Sequence, residues 1–275
     1  MNKIFSALAV LLISFNLYAD YNRIISLAPS VTQSLYELGM EKEVIANTTY
    51  CPKGILKKEI IGTLTEPNIE KIINLKPDLI ISTKEGNNKA AVEKMKRLGL
   101  KVYVMGTSSS FSDICENFRN LADFLQKGTE AENIISETTI EIKAIYEETE
   151  KEKRELVFWE IGANPLVTVG KKSFVNDYNK YAGGKNIFQY IDMRYPNITL
   201  EKVIEKNPDV ILVVSMGNIG NEEVRKWKKY VSINAVKNNK LYILDANDIF
   251  ALTPMTFLNA VKVTKKVLSQ GRHNE

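Results

Sequence analysis

The sequence predicts an α/β protein made of two similar lobes joined by a single long helix. Three observations lead there. The segment from Glu70 to Ile81 recurs from Glu201 to Leu212 at a constant offset of 131 residues, keeping Glu, Lys, Pro and Asp in one register. A Pro-Asn-Ile precedes each copy, at 67–69 and at 196–198. That period is too long for a solenoid unit and suits two lobes of like fold. Apolar, β-branched runs also alternate with helical patterns along most of the chain, which implies parallel sheets covered on both faces. Finally, the stretch 129–153 has no Gly or Pro, is rich in Glu and Lys, and repeats Ile134, Thr138, Ile142, Ile145 and Thr149 at helical spacing. As a helix it spans about 37 Å; as coil it would be a highly charged linker. The persistence of the pattern favours the helix.

Residues 1–19 read as an export signal. Lys3 supplies the positive start, 4–17 the apolar run, and Leu17-Tyr18-Ala19 a small-residue cleavage site. The mature chain would then begin at Asp20 and carry 36 basic against 33 acidic side chains, too even a balance to suggest nucleic acid. The predicted division is a lobe over 20–127, a linking helix over 128–154 and a second lobe over 155–275. Its 44% hydrophobic residues are ample for two cores.

In the first lobe Arg23 to Ala28 is a strand, and Ser30 or Thr32 caps a helix that Gly39 ends. Val44 to Ala46 is a strand leading to the loop Asn47 to Pro52. The first repeat copy follows: a short helix, a Lys-Pro-Asp turn and the strand 79–82. Lys76 precedes a proline, so it leaves the α region and ends the helix. Next come a helix over 86–98, a strand over 102–105, and a helix over 113–126 with Gly128 as its stop.

The second lobe repeats the order. It reads as a strand over 156–159, a loop over 163–168, a helix over 174–181 stopping at Gly183-Gly184, and the second copy. A helix over 221–236, a strand over 241–244 and a closing helix over 254–268 complete it. Cys51 and Cys115 are too few for a disulfide scaffold. In an oxidising compartment they could form one bridge, or stay free and buried.

Enzyme chemistry finds little support. There is no phosphate-binding glycine loop, and Gly217-Asn218-Ile219-Gly220 is only turn-rich. The lone histidine, His273, is terminal, so no Ser-His-Asp set is available. No Cys/His cluster has zinc spacing. Asp245 and Asp248 form a loop carboxylate pair of the kind that usually caps or is solvated.

Three segments carry a resemblance to a known family: Ile25 to Thr32, Pro67 through Ile80, and Ala182 to Phe188. With them the chain resembles the periplasmic substrate-binding proteins of ABC importers for metal chelates, the class III or helical-backbone type that takes vitamin B12, haem and ferric siderophores. The resemblance implies two lobes clasping one ligand with little movement, a monomer in the periplasm, no catalytic cofactor, and a permease dimer in the inner membrane as partner. A corrinoid such as cobalamin is the ligand it implies first, with haem or a ferric siderophore as the alternative. Carried over, the pocket comprises Tyr50, Leu64, Val167, Tyr195, Asp248 and Phe250, with Lys84 and Arg194 as polar contacts. Leu64, Thr83 and Tyr195 stand where corrinoid binders carry tryptophans, and Leu166 or Val167 where they carry a phenylalanine. Glu70 and Glu201 fall where that family docks glutamates against permease arginines. From the residues alone, they are acidic groups in a first helical turn, favourable to the helix dipole.

Overall fold

A computed structural model describes residues 20–215, 219–250 and 252–270. The predicted export signal, Gly217-Asn218 and His273 lie outside the described residues. The first lobe holds a parallel five-stranded sheet in the order β3-β2-β1-β4-β5. Its strands are β1 (Ile24–Ser26), β2 (Val44–Asn47), β3 (Glu59–Ile60), β4 (Leu79–Thr83) and β5 (Val102–Met105). Its helices are α1 (Pro29–Glu37), α2 (Ile69–Asn74), α3 (Lys89–Arg97) and α4 (Phe111–Phe124).

The long helix is α5 (Gly128–Thr149), 22 residues or about 33 Å. It buries one stripe, Ala131, Ile135, Thr138, Ile142, Ile145 and Thr149, whose steps of three and four keep it on a single face. The predicted register therefore holds, with Ile135 in place of Ile134 as the buried member of its turn.

The second lobe carries β6 (Glu155–Glu160), the small antiparallel pair β7 (Gly162–Ala163) and β8 (Leu166–Val167), α6 (Val175–Ala182) and β9 (Gly184–Asn186). It continues with α7 (Leu200–Lys206), β10 (Val210–Ser215), α8 (Ile219–Trp227), α9 (Asn234–Lys237), β11 (Leu241–Asp245), α10 (Ala246–Phe250) and α11 (Pro254–Gln270). Its main sheet is parallel in the order β11-β10-β6-β9.

The repeat has a structural meaning. In each copy the turn residue before proline takes a left-handed φ, 46° at Lys76 and 44° at Asn207. Each following aspartate then ties the turn to the first strand of its own sheet. Asp78 accepts from the backbone N–H of Asn22 at 2.8 Å and of Arg23 at 3.0 Å, while its own N–H donates to the Arg23 carbonyl. Asp209 accepts from the Leu156 N–H at 3.0 Å, and its N–H donates to the Leu156 carbonyl. One carboxylate thus pairs a turn with a strand start in both lobes, satisfying donors the sheet leaves open.

Two separate cores were expected, and the structure departs from this. Strand side chains alternate between faces, and one face of both sheets opens onto a single apolar cluster. Ile24, Leu79 and Ile81 of the first sheet share it with Val157, Trp159, Val210 and Leu212 of the second. Helices α4, α5, α6 and α11 fill the space between. Phe257 of α11 has its ring centroid 4.6 Å from both Phe111 of α4 and Tyr178 of α6. The opposite faces keep smaller clusters of their own, around Ile25 and Ile80 and around Phe158 and Ile211.

Several local expectations are corrected. Neither Ser30 nor Thr32 caps α1: Ala28 holds the cap position, Pro29 begins the helix, and the Thr32 hydroxyl donates to Ser26 Oγ at 2.7 Å. Gly128 opens α5 instead of stopping α4, which ends at Leu125 and a left-handed Gln126. The helix expected over 221–236 is broken into α8 and α9, because Trp227 and Ile233 are both buried in one cluster and the chain must turn between them. The loop 163–168 contains the β7–β8 pair, and the strand β9 beyond Gly183 was not anticipated.

Candidate functional site

A ligand site in an open parallel sheet lies beyond the carboxyl ends of its strands, and the cleft of this protein is built that way. Pro29 follows β1, Tyr50 follows β2, Glu85 follows β4, Ser108 follows β5 and Asn247 follows β11. These residues line two adjoining compartments of about 410 and 220 Å³ that share Pro29, Tyr50 and Asn247. The larger is the more polar of the two, with Gln33, Lys53, Asp248 and Asn259 in its wall. The smaller is mostly apolar, with Leu64, Met105, Ile114 and Phe250. Both volumes draw on each lobe.

Tyr50 stands where the compartments meet. It is 71% exposed and holds φ 69°, a left-handed conformation that bulky side chains rarely adopt. Such backbone strain concentrates at functional positions. Leu64 lines the apolar compartment, held there by Asn87, whose side-chain amide donates to the Leu64 carbonyl at 2.8 Å and the Leu27 carbonyl at 2.9 Å. The Asn87 oxygen accepts from the Thr83 N–H at 2.8 Å, so one side chain staples three cleft loops together.

Asp248 reaches the polar compartment from α10, and its pKa is raised by partial burial and by neighbouring Asp245. Phe250, from the same short helix, reaches the apolar one. Tyr195 lies behind Phe250, edge to face at 6.3 Å, and supports it without lining either volume. Burial pushes its phenol pKa up, with Arg194 opposing.

Like Tyr195, three further predicted residues line neither compartment. Lys84 faces away from the cleft into a separate depression beside α3, because successive residues beyond a strand point to opposite sides; Glu85 takes the cleft position. Val167 pairs with Gly162 in β8 and bridges to Asn197, lining neither compartment. Arg194 touches the cleft only through its partners. Its Nη1 donates to Glu85 Oε1 at 2.6 Å, and its Nη2 to the Ser108 carbonyl at 2.7 Å and Ser109 Oγ at 3.1 Å.

The possible disulfide is also corrected: both cysteines are free. Cys115 lies on the buried face of α4, where burial pushes its thiol up to about 11. Cys51 lies on the Tyr50 loop in the polar compartment, 3.3 Å from Thr48 Oγ1. The sequence reading missed Glu85, Asn87, Ser108 and Asn247. A usable signal existed, since each is a polar residue within a few positions of a strand's carboxyl end.

Glu70 and Glu201 lie on the surface in the first turns of α2 and α7. Among the described residues Glu70 has no hydrogen-bond or ion-pair partner. Glu201 is held below the usual carboxylate range by its own backbone N–H and by Thr199. Among the described residues no cluster of His, Cys, Asp and Glu could hold a metal ion, and no helix is long and apolar enough to cross a membrane.

Known proteins share this design. The chain is 31% identical over 273 residues to the vitamin B12-binding protein of Vibrio vulnificus strain CMCP6, covering 98% of each. The crystal structure of the periplasmic vitamin B12-binding protein of Vibrio cholerae is alike with a TM-score of 0.76 and 27% identity, over 92% of this chain and 98% of that one. A periplasmic heme-binding protein from Roseiflexus sp. RS-1 shares the fold at a TM-score of 0.80 and 20% identity, over 91% and 99%. The family profile described as periplasmic binding protein matches residues 24–247, and with that match spanning both lobes and the cleft between them, the chain belongs to the periplasmic binding protein family.

Proposed function

We propose that the protein captures one metal chelate, a corrinoid such as cobalamin, in the cleft between its lobes and hands it to an ABC importer in the inner membrane. The observation that carries this reading is the cleft itself: an exposed, strained Tyr50 at the junction of a more polar and a more apolar compartment. An apolar wall with a few placed polar groups suits a macrocycle rimmed by amide side chains. The ionisable lining favours a ligand without net negative charge. Among the described lining residues Lys53 is the one cation, against Asp248 and Glu85, while Arg194 is already paired. An anionic ferric siderophore normally meets unpaired arginines.

In this reading Ala19 ends an export signal, 20–127 and 155–275 are the two lobes, and 128–154 is the helix between them. The protein works as a periplasmic monomer without catalysis. Glu70 and Glu201 are the matched surface carboxylates that meet a two-fold permease, one per lobe. Isothermal titration with cyanocobalamin, cobinamide, haemin and a ferric hydroxamate tests the ligand. One-to-one binding of the corrinoids is expected, and their failure to bind beside a positive haemin or hydroxamate titration would reassign it. In vesicles carrying the cognate permease, Glu70→Ala/Glu201→Ala should bind ligand normally and lose most transport. Transport at the wild-type rate would return both residues to helix capping.

A further inference from the structure

Arg194 and Glu85 come from different lobes and are 109 residues apart in sequence, yet they form the ion pair that spans the cleft wall. Glu85 Oε1 receives Arg194 Nη1 at 2.6 Å and the Ser108 N–H at 2.6 Å. Arg194 Nη2 is turned to the Ser108 carbonyl and Ser109 Oγ. Both side chains are about three-quarters buried, at 24% and 28% exposure, so the pair is poorly screened by solvent. Glu85 and Ser108 line the apolar compartment, and Arg194 stands directly behind them.

A guanidinium at a ligand cleft is the group best shaped to hold a carboxylate, through two parallel N–H bonds. Here that face is occupied by a carboxylate the protein supplies itself. We propose that Glu85 determines the charge specificity of the cleft: by holding Arg194 it denies a docking point to carboxylate-bearing chelates and leaves the site to neutral, amide-rimmed ones. An incoming carboxylate would have to displace Glu85 and leave it unpaired beside a second negative charge. An amide side group imposes no such exchange, because its N–H can donate to the Glu85 carboxylate with the pair intact. Glu85 therefore acts through Arg194 and through its own charge, as a positioning residue and an excluding one.

The inference rests on the interlobe cleft being the chelate site, and paired probes separate the two claims. One pair is cyanocobalamin and its side-chain monocarboxylic acids, which differ by amide against carboxylate on one macrocycle. The other is haemin and its dimethyl ester, which differ by two carboxylates. Affinities are measured for wild type, Glu85→Gln, Arg194→Gln and the double variant, with folding checked by circular dichroism.

Wild type should prefer the uncharged member of a pair. Glu85→Gln should shift the acid-to-neutral affinity ratio toward the acid by about tenfold, the worth of one charge-assisted hydrogen bond. The double variant should lose that gain, which a merely structural role for Glu85 would not produce. If corrinoids do not bind but the haem pair shows the shift, the corrinoid assignment fails and the inference stands. An unchanged ratio in Glu85→Gln for every pair that binds overturns the inference. Absence of binding by all four probes in all four proteins overturns both.

Discussion

The two lobes repeat one backbone plan and differ at the ends of their first strands. In the first lobe Ser26 pairs with Ile81 of β4, and the next residue is the buried Leu27. In the second, Trp159 pairs with the corresponding Leu212 of β10, and the next residue is Glu160, 2% exposed. Its carboxylate accepts from the indole N–H of Trp227, yet burial still pushes it up to about 7. The aspartates and left-handed turns that tie strand to turn are the same in both lobes, while the side chains facing outward from the plan are free to differ. Backbone donors must be satisfied in each copy, so those ties cannot drift; a strand-end side chain only has to suit its own surroundings.

The comparison can be broken most forcefully at the core the lobes share. Phe257→Ala should cost about 3–5 kcal/mol, the usual range for emptying a buried aromatic site. Because that ring touches helices of both lobes, urea denaturation should lower the stability of both sheets together, read by hydrogen exchange at β4 and β10. Loss confined to the second lobe would show that the lobes have independent cores after all.

The pH response of Glu160 should distinguish the lobes next. Its pKa is raised on folding from 4.5 to about 7, so the folded state holds the proton more tightly between those values. Stability relative to Glu160→Gln should be greatest at low pH and fall as pH rises from about 4.5 to about 7, by up to about 3 kcal/mol. It then stays level above that range. Denaturant midpoints of the two proteins, compared across pH, check the sign, and parallel curves would mean the carboxyl is solvated. Leu27→Gln, at the matching place in the first lobe, should add no such slope.

The two repeat aspartates offer a finer contrast. Asp209→Ala should cost about 2 kcal/mol because the half-buried Leu156 N–H and the Asn234 amide lose their acceptor. Asp78→Ala should cost only about 1 kcal/mol, since water can reach its exposed partners Asn22 and Arg23. Equal losses, measured by urea titration, would mean the surroundings do not set the worth of the tie.

The smallest expected effect compares two tyrosines, one from each lobe. Tyr50→Ala should weaken ligand binding about tenfold, or 1.4 kcal/mol. Tyr195→Ala should weaken it less, because Tyr195 only supports Phe250 from behind. The reverse order in calorimetric titration would place Tyr195 against the ligand.

Much of this was legible in the chain before any coordinates. The repeat announced two lobes, and residue periodicity announced α5 with its buried stripe from Thr138 to Thr149. Strand-and-helix alternation announced the parallel sheets. These readings hold because they depend on local backbone geometry, which is written in neighbouring residues. The family resemblance named Tyr50, Leu64, Asp248 and Phe250, and these four line the two adjoining compartments. The error over Gly128 and the division of 221–236 came from tertiary demands overriding local signals: Trp227 and Ile233 had to enter one cluster whatever the helix pattern between them.

What only the tertiary structure decided is who meets whom across the cleft. Nothing near Arg194 in sequence indicates that Glu85 neutralises it, or that Lys84 turns away while its neighbour turns in. No local pattern tells that alternating strand residues from two lobes share one core through Phe257. Contacts between residues a hundred or more positions apart depend on how finished elements pack, and side chains on a short loop take their direction from that packing. The sequence by itself determined the two-lobed α/β plan and the long helix, because short-range geometry sets those; the pairing of Arg194 with Glu85 was settled only when the lobes came together.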